Sequence, residues 1–247
     1  MFPSRCPPHL LVLAALFCLF IAPSAKSQDR TQLQAKIASL REEIQSKEKS
    51  FLAPSAQDVA AFAEFLRQPD TGMARLMPRE KYDGQLLIRG GGAYYSFAKL
   101  TNDGTDIGFE QGRLGLVFAG ANFGFLGSLG DVPVDGVTID DRGVLLLAAF
   151  RTPSTEAEAR EQQRRASAGF EADGFAYRRD IPASVNTTYV VRSINYDVSD
   201  VLVVFRVTRQ DADGSLILAW KMLSRFSMPH LISSELGVER SRLRGGR

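Results

Sequence analysis

TTYVVRSINYDVSDVLVVFRVTRQDADGSLILAWKML, residues 187–223, decides the fold. Three runs of apolar and β-branched residues, Thr187 to Tyr196, Val201 to Arg209 and Ser215 to Leu223, are parted only by Asp197 to Asp200 and Gln210 to Gly214. Runs of this length, bounded by Asp, Asn and Gly, read as strands. Leu216, Leu218, Trp220 and Met222 alternate along the third run, which is the period of a strand with one face buried. Connections this short leave no room for a crossover, so the three form an antiparallel meander.

Upstream, Leu86 to Ala98, Arg113 to Phe118, Phe123 to Leu129, Gly136 to Ile139 and Val144 to Phe150 have the same texture and are expected to be strands. Glycines recur at 108, 112, 115, 120, 124, 127 and 130. A helix carrying them would lose about 1 kcal/mol at each relative to alanine, so they fit strands with bulges or close backbone approaches. Residues 152–174 interrupt the pattern with a polar insert. Thr155 and Glu158 make a capping box, Glu156 with Arg160 and Glu161 with Arg165 are ion pairs one turn apart, and alanine is the only apolar residue from Thr155 to Ala168. With no large apolar face, this helix is expected to be solvated and to stop at Gly169.

Two helices precede the strands. Ser55 and Asp58 cap one whose Val59, Phe62, Ala63 and Leu66 share a face, with Pro69 as its limit. Before it, in residues 28–54, Asp29 and Gln32 open a helix whose Leu33, Ile37, Leu40 and Ile44 follow the 4-3-4 rhythm of a short coiled coil, interrupted at Lys47. That seam makes residues 29–52 a route to a homo-oligomer, with a single helix packed on the chain's own domain, or left solvated after the signal, as the alternative. The fold class expected is α+β: N-terminal helices followed by a mainly antiparallel sheet of about eight to ten strands, sandwich or barrel-like, in residues 55–226.

Residues 1–27 read as a signal peptide. Arg5 lies in a short leading region, Leu10 to Ala22 is apolar, and Ala25-Lys26-Ser27 is a small-x-small cleavage site. The apolar run is too short to span a bilayer, and the small residue that lipid attachment at Cys18 requires before it is replaced by Phe17. The arginine-rich tail, residues 227–247, is expected to be disordered. Removing residues 1–27 takes Arg5, Lys26, both cysteines and His9, which leaves 28 basic against 28 acidic residues and His230 as the remaining histidine. That inventory excludes disulfides, thiol nucleophiles and zinc-thiolate sites, implies no cofactor or metal, and argues against nucleic acid as a partner. No later segment is apolar and long enough to span a membrane.

Candidate chemistry is sparse. Gly90-Gly91-Gly92 lacks the following Lys-Ser/Thr and the helix of a phosphate loop, so it reads first as a bulge in a strand. Arg89 beside it, with Tyr94 or Tyr95, offers a cation and a flat polar-edged ring to an anionic or sugar-like ligand. Strand alternation sends Tyr94 and Tyr95 to opposite faces. Glu80 supplies a nearby carboxylate, and Glu80, Arg89 and Tyr94 together would serve a metal-independent hydrolase. Asn102, Asp103, Asp106 and Glu110 gather oxygens with a solvated turn as the competing use, Asp211 to Gly214 is a hairpin turn, and Asp140-Asp141 and His230 form no recognisable catalytic set.

Leu76-Met77-Pro78-Arg79-Glu80, Arg89 to Phe97, Phe118-Ala119-Gly120 and Gly124-Phe125-Leu126 together resemble an uncharacterised family of secreted bacterial proteins, over residues 51–226. The resemblance implies export and a bacterial envelope setting and carries no activity. The function expected is a secreted or periplasmic binding or interaction module.

Overall fold

The structure is a computed structural model describing residues 25–98, 105–117 and 119–232. The apolar region and the start of the proposed signal peptide, and the tail beyond residue 232, lie outside the described residues. Two units divide the chain at Ser46. In the first, the described residues belong to helix α1, which runs unbroken from Ala25 to Phe51. It begins a turn before Asp29, so Asp29 lies inside the helix rather than capping it. Leu33, Ile37, Leu40 and Ile44 are exposed by 53, 48, 48 and 44%.

The second unit, Lys47–Arg247, contains both sheets. Its largest component is the predicted meander: β9 (Thr187–Asn195), β10 (Ser199–Gln210) and β11 (Leu216–Arg225) pair antiparallel, with Phe205 opposite Tyr189 on one side and Trp220 on the other. Strand β1 (Thr71–Leu76) adds at one edge. On the other side come β5 (Phe123–Gly130), β7 (Phe175–Arg178) and β6 (Phe170–Ala172), giving seven strands in the order β1-β11-β10-β9-β5-β7-β6. A second sheet, β2 (Tyr94–Tyr95), β3 (Ile107–Glu110), β4 (Arg113–Gly115) and β8 (Asp180–Pro182), is also antiparallel throughout. The class is α+β with two open sheets, not a closed barrel.

Alternation along the central strands assigns the layers. Tyr189, Val191, Val203, Phe205, Leu218 and Trp220 face the four-stranded sheet and meet Phe97, Ile107, Phe109 and Leu114 in one core. Val190, Ile194, Leu202, Val204 and Ala219 face the helical side and meet Phe123, Phe125, Val144 and Leu147 in another. A central sheet buried on both faces explains why β9 and β10 read as nearly continuous apolar runs.

Arg192 belongs to the helical side and is 2% exposed, as is its partner Asp200. Its Nε lies 2.9 Å from Asp200 Oδ1, and one terminal nitrogen donates to the carbonyls of Leu147 and Phe150 at 2.5 and 2.8 Å. Those carbonyls close helix α4 (Leu145–Ala149), where the last turn has acceptors without helical donors. The expectation of a strand over Val144 to Phe150 is corrected by this helix; a short apolar run does not distinguish the two. Gly136 to Ile139 is likewise turn and coil, not strand.

Helix α2 (Ala56–Ala61) carries the predicted capping box, with the Ser55 hydroxyl 3.1 Å from Asp58 N and Ser55 N 3.1 Å from Asp58 Oδ2. Burial pushes the Asp58 carboxyl up, but hydrogen bonds from Ser55 and Arg209 outweigh it and hold the group below the usual range. Phe62 and Leu66 pack on the core, while Val59 is exposed. Helix α5 (Glu156–Ala168) has its Thr155 cap and its Glu156–Arg160 pair, and Gly169 closes it. It is not solvated all round, because Ala159 and Ala166, two turns apart, are fully buried in the helical-side core. Glu161 pairs with Arg164 instead of Arg165, whose guanidinium lies 4.1 Å from the centre of the Phe170 ring.

The first residues of the expected tail are held. Pro229 O accepts from Asp197 N at 2.9 Å, Ile232 N donates to Ser154 O at 2.7 Å, and His230 Nδ1 lies 2.6 Å from Asp197 Oδ1. Against the disorder expected of residues 227–247, Pro229 is buried and residues 227–232 return to the body of the domain.

Candidate functional site

The predicted strand from Leu86 to Ala98 is mostly a turn. Arg89–Gly92 forms a tight turn in which Gly90, Gly91 and Gly92 have φ of 66, 60 and 80°, in the left-handed region rather than that of a right-handed helix. A Cβ on Gly91 would stand 2.2 Å from the Tyr82 carbonyl oxygen, so this backbone packs directly against helix α3 (Arg79–Tyr82). The glycines are therefore a structural joint rather than a bulge inside a strand. They fix α3 beside the four-stranded sheet.

Register then places a row of residues across the outer face of that sheet. Tyr94 on β2 is opposite Gly108 on β3, Gly108 is opposite Gly115 on β4, and Gly115 is opposite Asp180 on β8. Ile107, Phe109, Leu114 and Ile181, at the alternate positions, point into the core. Two glycines side by side, between Tyr94 and Asp180, make the floor of a trough of about 340 Å³. A Cβ at Gly108 would lie 2.9 Å from the Tyr94 ring, whereas one at Gly115 would make ordinary contact with Asp180 Cβ at 3.5 Å and project into the open trough.

Three arginines, Arg79, Arg113 and Arg179, line this trough with Glu110 and Asp180, a net excess of one positive charge. Arg79 reaches it from α3, 3.2 Å from Glu110 and 3.3 Å from Asp83, with its guanidinium carbon 5.8 Å from the Tyr94 ring centre. Arg113 Nε lies 2.5 Å from Asp180 Oδ1, and its terminal nitrogen donates to Asp180 O at 3.2 Å. These pairs are half-exposed, so they hold the guanidiniums in place at little cost to exchange for a ligand anion. A larger hollow of about 590 Å³ between β5 and the start of β9 is lined by no charged side chain.

Of the residues singled out in sequence, Tyr94 lines the trough. Glu80 lies beside it with Oε2 accepting from Gln111 N at 3.0 Å, pinning the β3–β4 turn. Arg89 is exposed and outside the lining. Tyr95 belongs to the inter-sheet core, where its hydroxyl accepts from Trp220 Nε1 at 3.1 Å, and burial pushes it up from the ordinary tyrosine range. Gly90, Gly91 and Gly92 are buried. Glu80, Arg89 and Tyr94 thus do not form one catalytic set. Arg79, next to Glu80, Arg113 on β4 and Arg179 in the bend between β7 and β8 are far apart in sequence and were not legible as a group, because only the pairing of the strands around them brings them together.

The oxygen-rich segment also divides. Asn102 and Asp103 lie outside the described residues, and Glu110 serves the trough. Asp106 is fully buried, accepting from Phe97 N at 2.7 Å and from Ser96 Oγ and Asn195 Nδ2 at 3.3 Å each. Burial pushes its carboxyl above the usual range despite hydrogen bonds from Ser193, Phe97, Ala98 and Ser96. The folded state therefore holds this proton more tightly than the unfolded chain, whose value is about 3.9. The stability it contributes is full below that value and is lost as pH rises through the raised one. Asp106→Asn is expected to remove this decline: the wild-type minus variant difference in unfolding free energy falls as pH rises, and parallel curves would contradict it.

Among the described residues no cluster of three or more His, Cys, Asp or Glu converges as a metal site, and no helix is long and apolar enough to cross a membrane. Comparison with protein-family models, curated proteins and solved structures finds no match.

Proposed function

We propose that this chain is an exported binding protein of the bacterial envelope that takes a small anionic, sugar-sized ligand in the trough between Tyr94 and Asp180. The observation that carries the reading is the Gly108–Gly115 pair. It removes side chains from the middle of a sheet face whose surroundings are arginine, tyrosine and carboxylate. At about 340 Å³ the trough is at the lower end of the range for small-ligand sites, about 300–1,000 Å³. Half-buried Gly115 leaves the floor open to a ring at close approach, the Tyr94 ring that covers buried Gly108 supplies an aromatic surface, and planar guanidiniums suit a carboxylate or phosphate oxygen pair. The export half of the reading is supported by the order of charged, apolar and cleavage regions in residues 1–27, and the envelope setting by the resemblance over residues 51–226.

Calorimetric titration with galacturonate and with inorganic phosphate tests the ligand class. Binding of either is expected to weaken about tenfold or more in Arg113→Ala, since a charge-assisted hydrogen bond contributes about 1.5–3 kcal/mol. Gly115→Val fills the trough with its Cβ in ordinary contact with Asp180 Cβ and the Arg179 carbonyl oxygen, 3.5 and 3.9 Å away, and is expected to abolish binding with the fold retained. Arg89→Ala, outside the lining, should bind as wild type. Equal loss in Arg89→Ala, or undiminished binding in Gly115→Val, would remove the trough from the account.

A further inference from the structure

The exposed seam of α1 has a charge pattern that selects one arrangement of two copies. Leu33 and Leu40 occupy heptad position d and Ile37 and Ile44 position a, on a helix continuous from Ala25 to Phe51. All four are 44–53% exposed. The flanking g positions are then Lys36 and Glu43, and the e positions Gln34, Arg41 and Glu48. In a parallel pair, g of one helix meets e of the other five residues on. That sets Lys36 against the partner's Arg41 and Glu43 against the partner's Glu48, whose own carboxylate is occupied by the backbone amides of Leu87 and Ile88. Both juxtapositions are between like charges.

Antiparallel pairing reverses the result. Layers now match a with d, so Leu33 packs on the partner's Ile44 and Ile37 on the partner's Leu40, each twice by symmetry. Position g meets g, placing Lys36 against the partner's Glu43, again twice. Sliding one helix by a heptad in either direction halves the apolar layers and opposes Lys36 to the partner's Lys36, or Glu43 to the partner's Glu43. Arg30 and Lys47 close the seam at its ends, which keeps it to two heptads. We propose that α1 forms an antiparallel pair with a second copy of this chain, held in that register by reciprocal Lys36–Glu43 contacts. A seam this short gives a dissociation constant on the order of tens of micromolar.

Sedimentation equilibrium at low salt, on the purified chain and on charge reversals at these exposed positions, tests orientation as well as association. Lys36→Glu and Glu43→Lys are each expected to weaken the dimer about tenfold, since each turns two attractive contacts repulsive, and the double variant restores it. A parallel pair would tighten in both single variants, which overturns the proposal. So does a chain that stays monomeric at about 300 micromolar, an order above the expected constant, or one that is monomeric and binds phosphatidylglycerol vesicles through Leu33, Ile37, Leu40 and Ile44.

Discussion

Arg192→Ala is expected to lower the unfolding free energy by about 3 to 5 kcal/mol, because it leaves the Asp200 carboxylate buried with its principal charge partner gone. Asp200 would keep the hydroxyl of Thr152 at 2.6 Å. The carbonyls of Leu147 and Phe150 would lose their donor at the end of α4, and the Phe226 ring, 3.7 Å from the guanidinium carbon, would lose its packing partner. The effect belongs to breaking the pair rather than to the worth of the pair itself. Arg192→Met combined with Asp200→Leu, which restores apolar contact and leaves no orphaned charge, is therefore expected to recover the part of the loss due to that charge, the Leu147 and Phe150 carbonyls still lacking their donor. Chemical denaturation checks both. A cost below about 1 kcal/mol for Arg192→Ala would mean that Asp200 reaches water or another donor.

Trp220→Ala is expected to cost a similar amount, about 3 to 5 kcal/mol for a large aromatic side chain removed from a packed interior. Trp220 is 1% exposed, meets Phe97 edge-on at 5.6 Å, and donates its indole N–H to Tyr95. The substitution opens a cavity between the sheets and removes the hydrogen-bond partner of the half-buried Tyr95 hydroxyl. In Trp220→Ala/Tyr95→Phe, loss of that hydroxyl offsets part of the cost; the two changes are thus expected to be less than additive in thermal and denaturant unfolding. Additive costs would show that Tyr95 does not depend on Trp220, reopening it as a ligand contact.

The meander was legible because residues 187–223 repeat one local rule: a buried apolar run, then a polar turn. The same rule failed at Val144 to Phe150, where five helical residues and five strand residues share a composition, and at Gly90 to Gly92, where positive φ at three successive glycines turned an expected strand into a joint. Residues 156–168 taught the converse lesson. Two alanines two turns apart suffice to dock a helix when the opposing surface approaches closely, and no hydrophobic pattern built on large side chains detects them. The trough was hidden for a different reason. Tyr94, Gly108, Gly115 and Asp180 become neighbours only through the pairing of four strands, so neither spacing nor composition marks them, although each glycine was visible singly.

Amide chemical-shift mapping by two-dimensional NMR during titration with galacturonate tests the binding trough most directly. Saturable shifts are expected to centre on Gly108, Gln111, Arg113 and Gly115, with Gly90 to Gly92 moving less and the α1 seam not at all. Shifts centred instead on the hollow beside Phe175 and Tyr189, or no saturable shift with either galacturonate or phosphate, would contradict it.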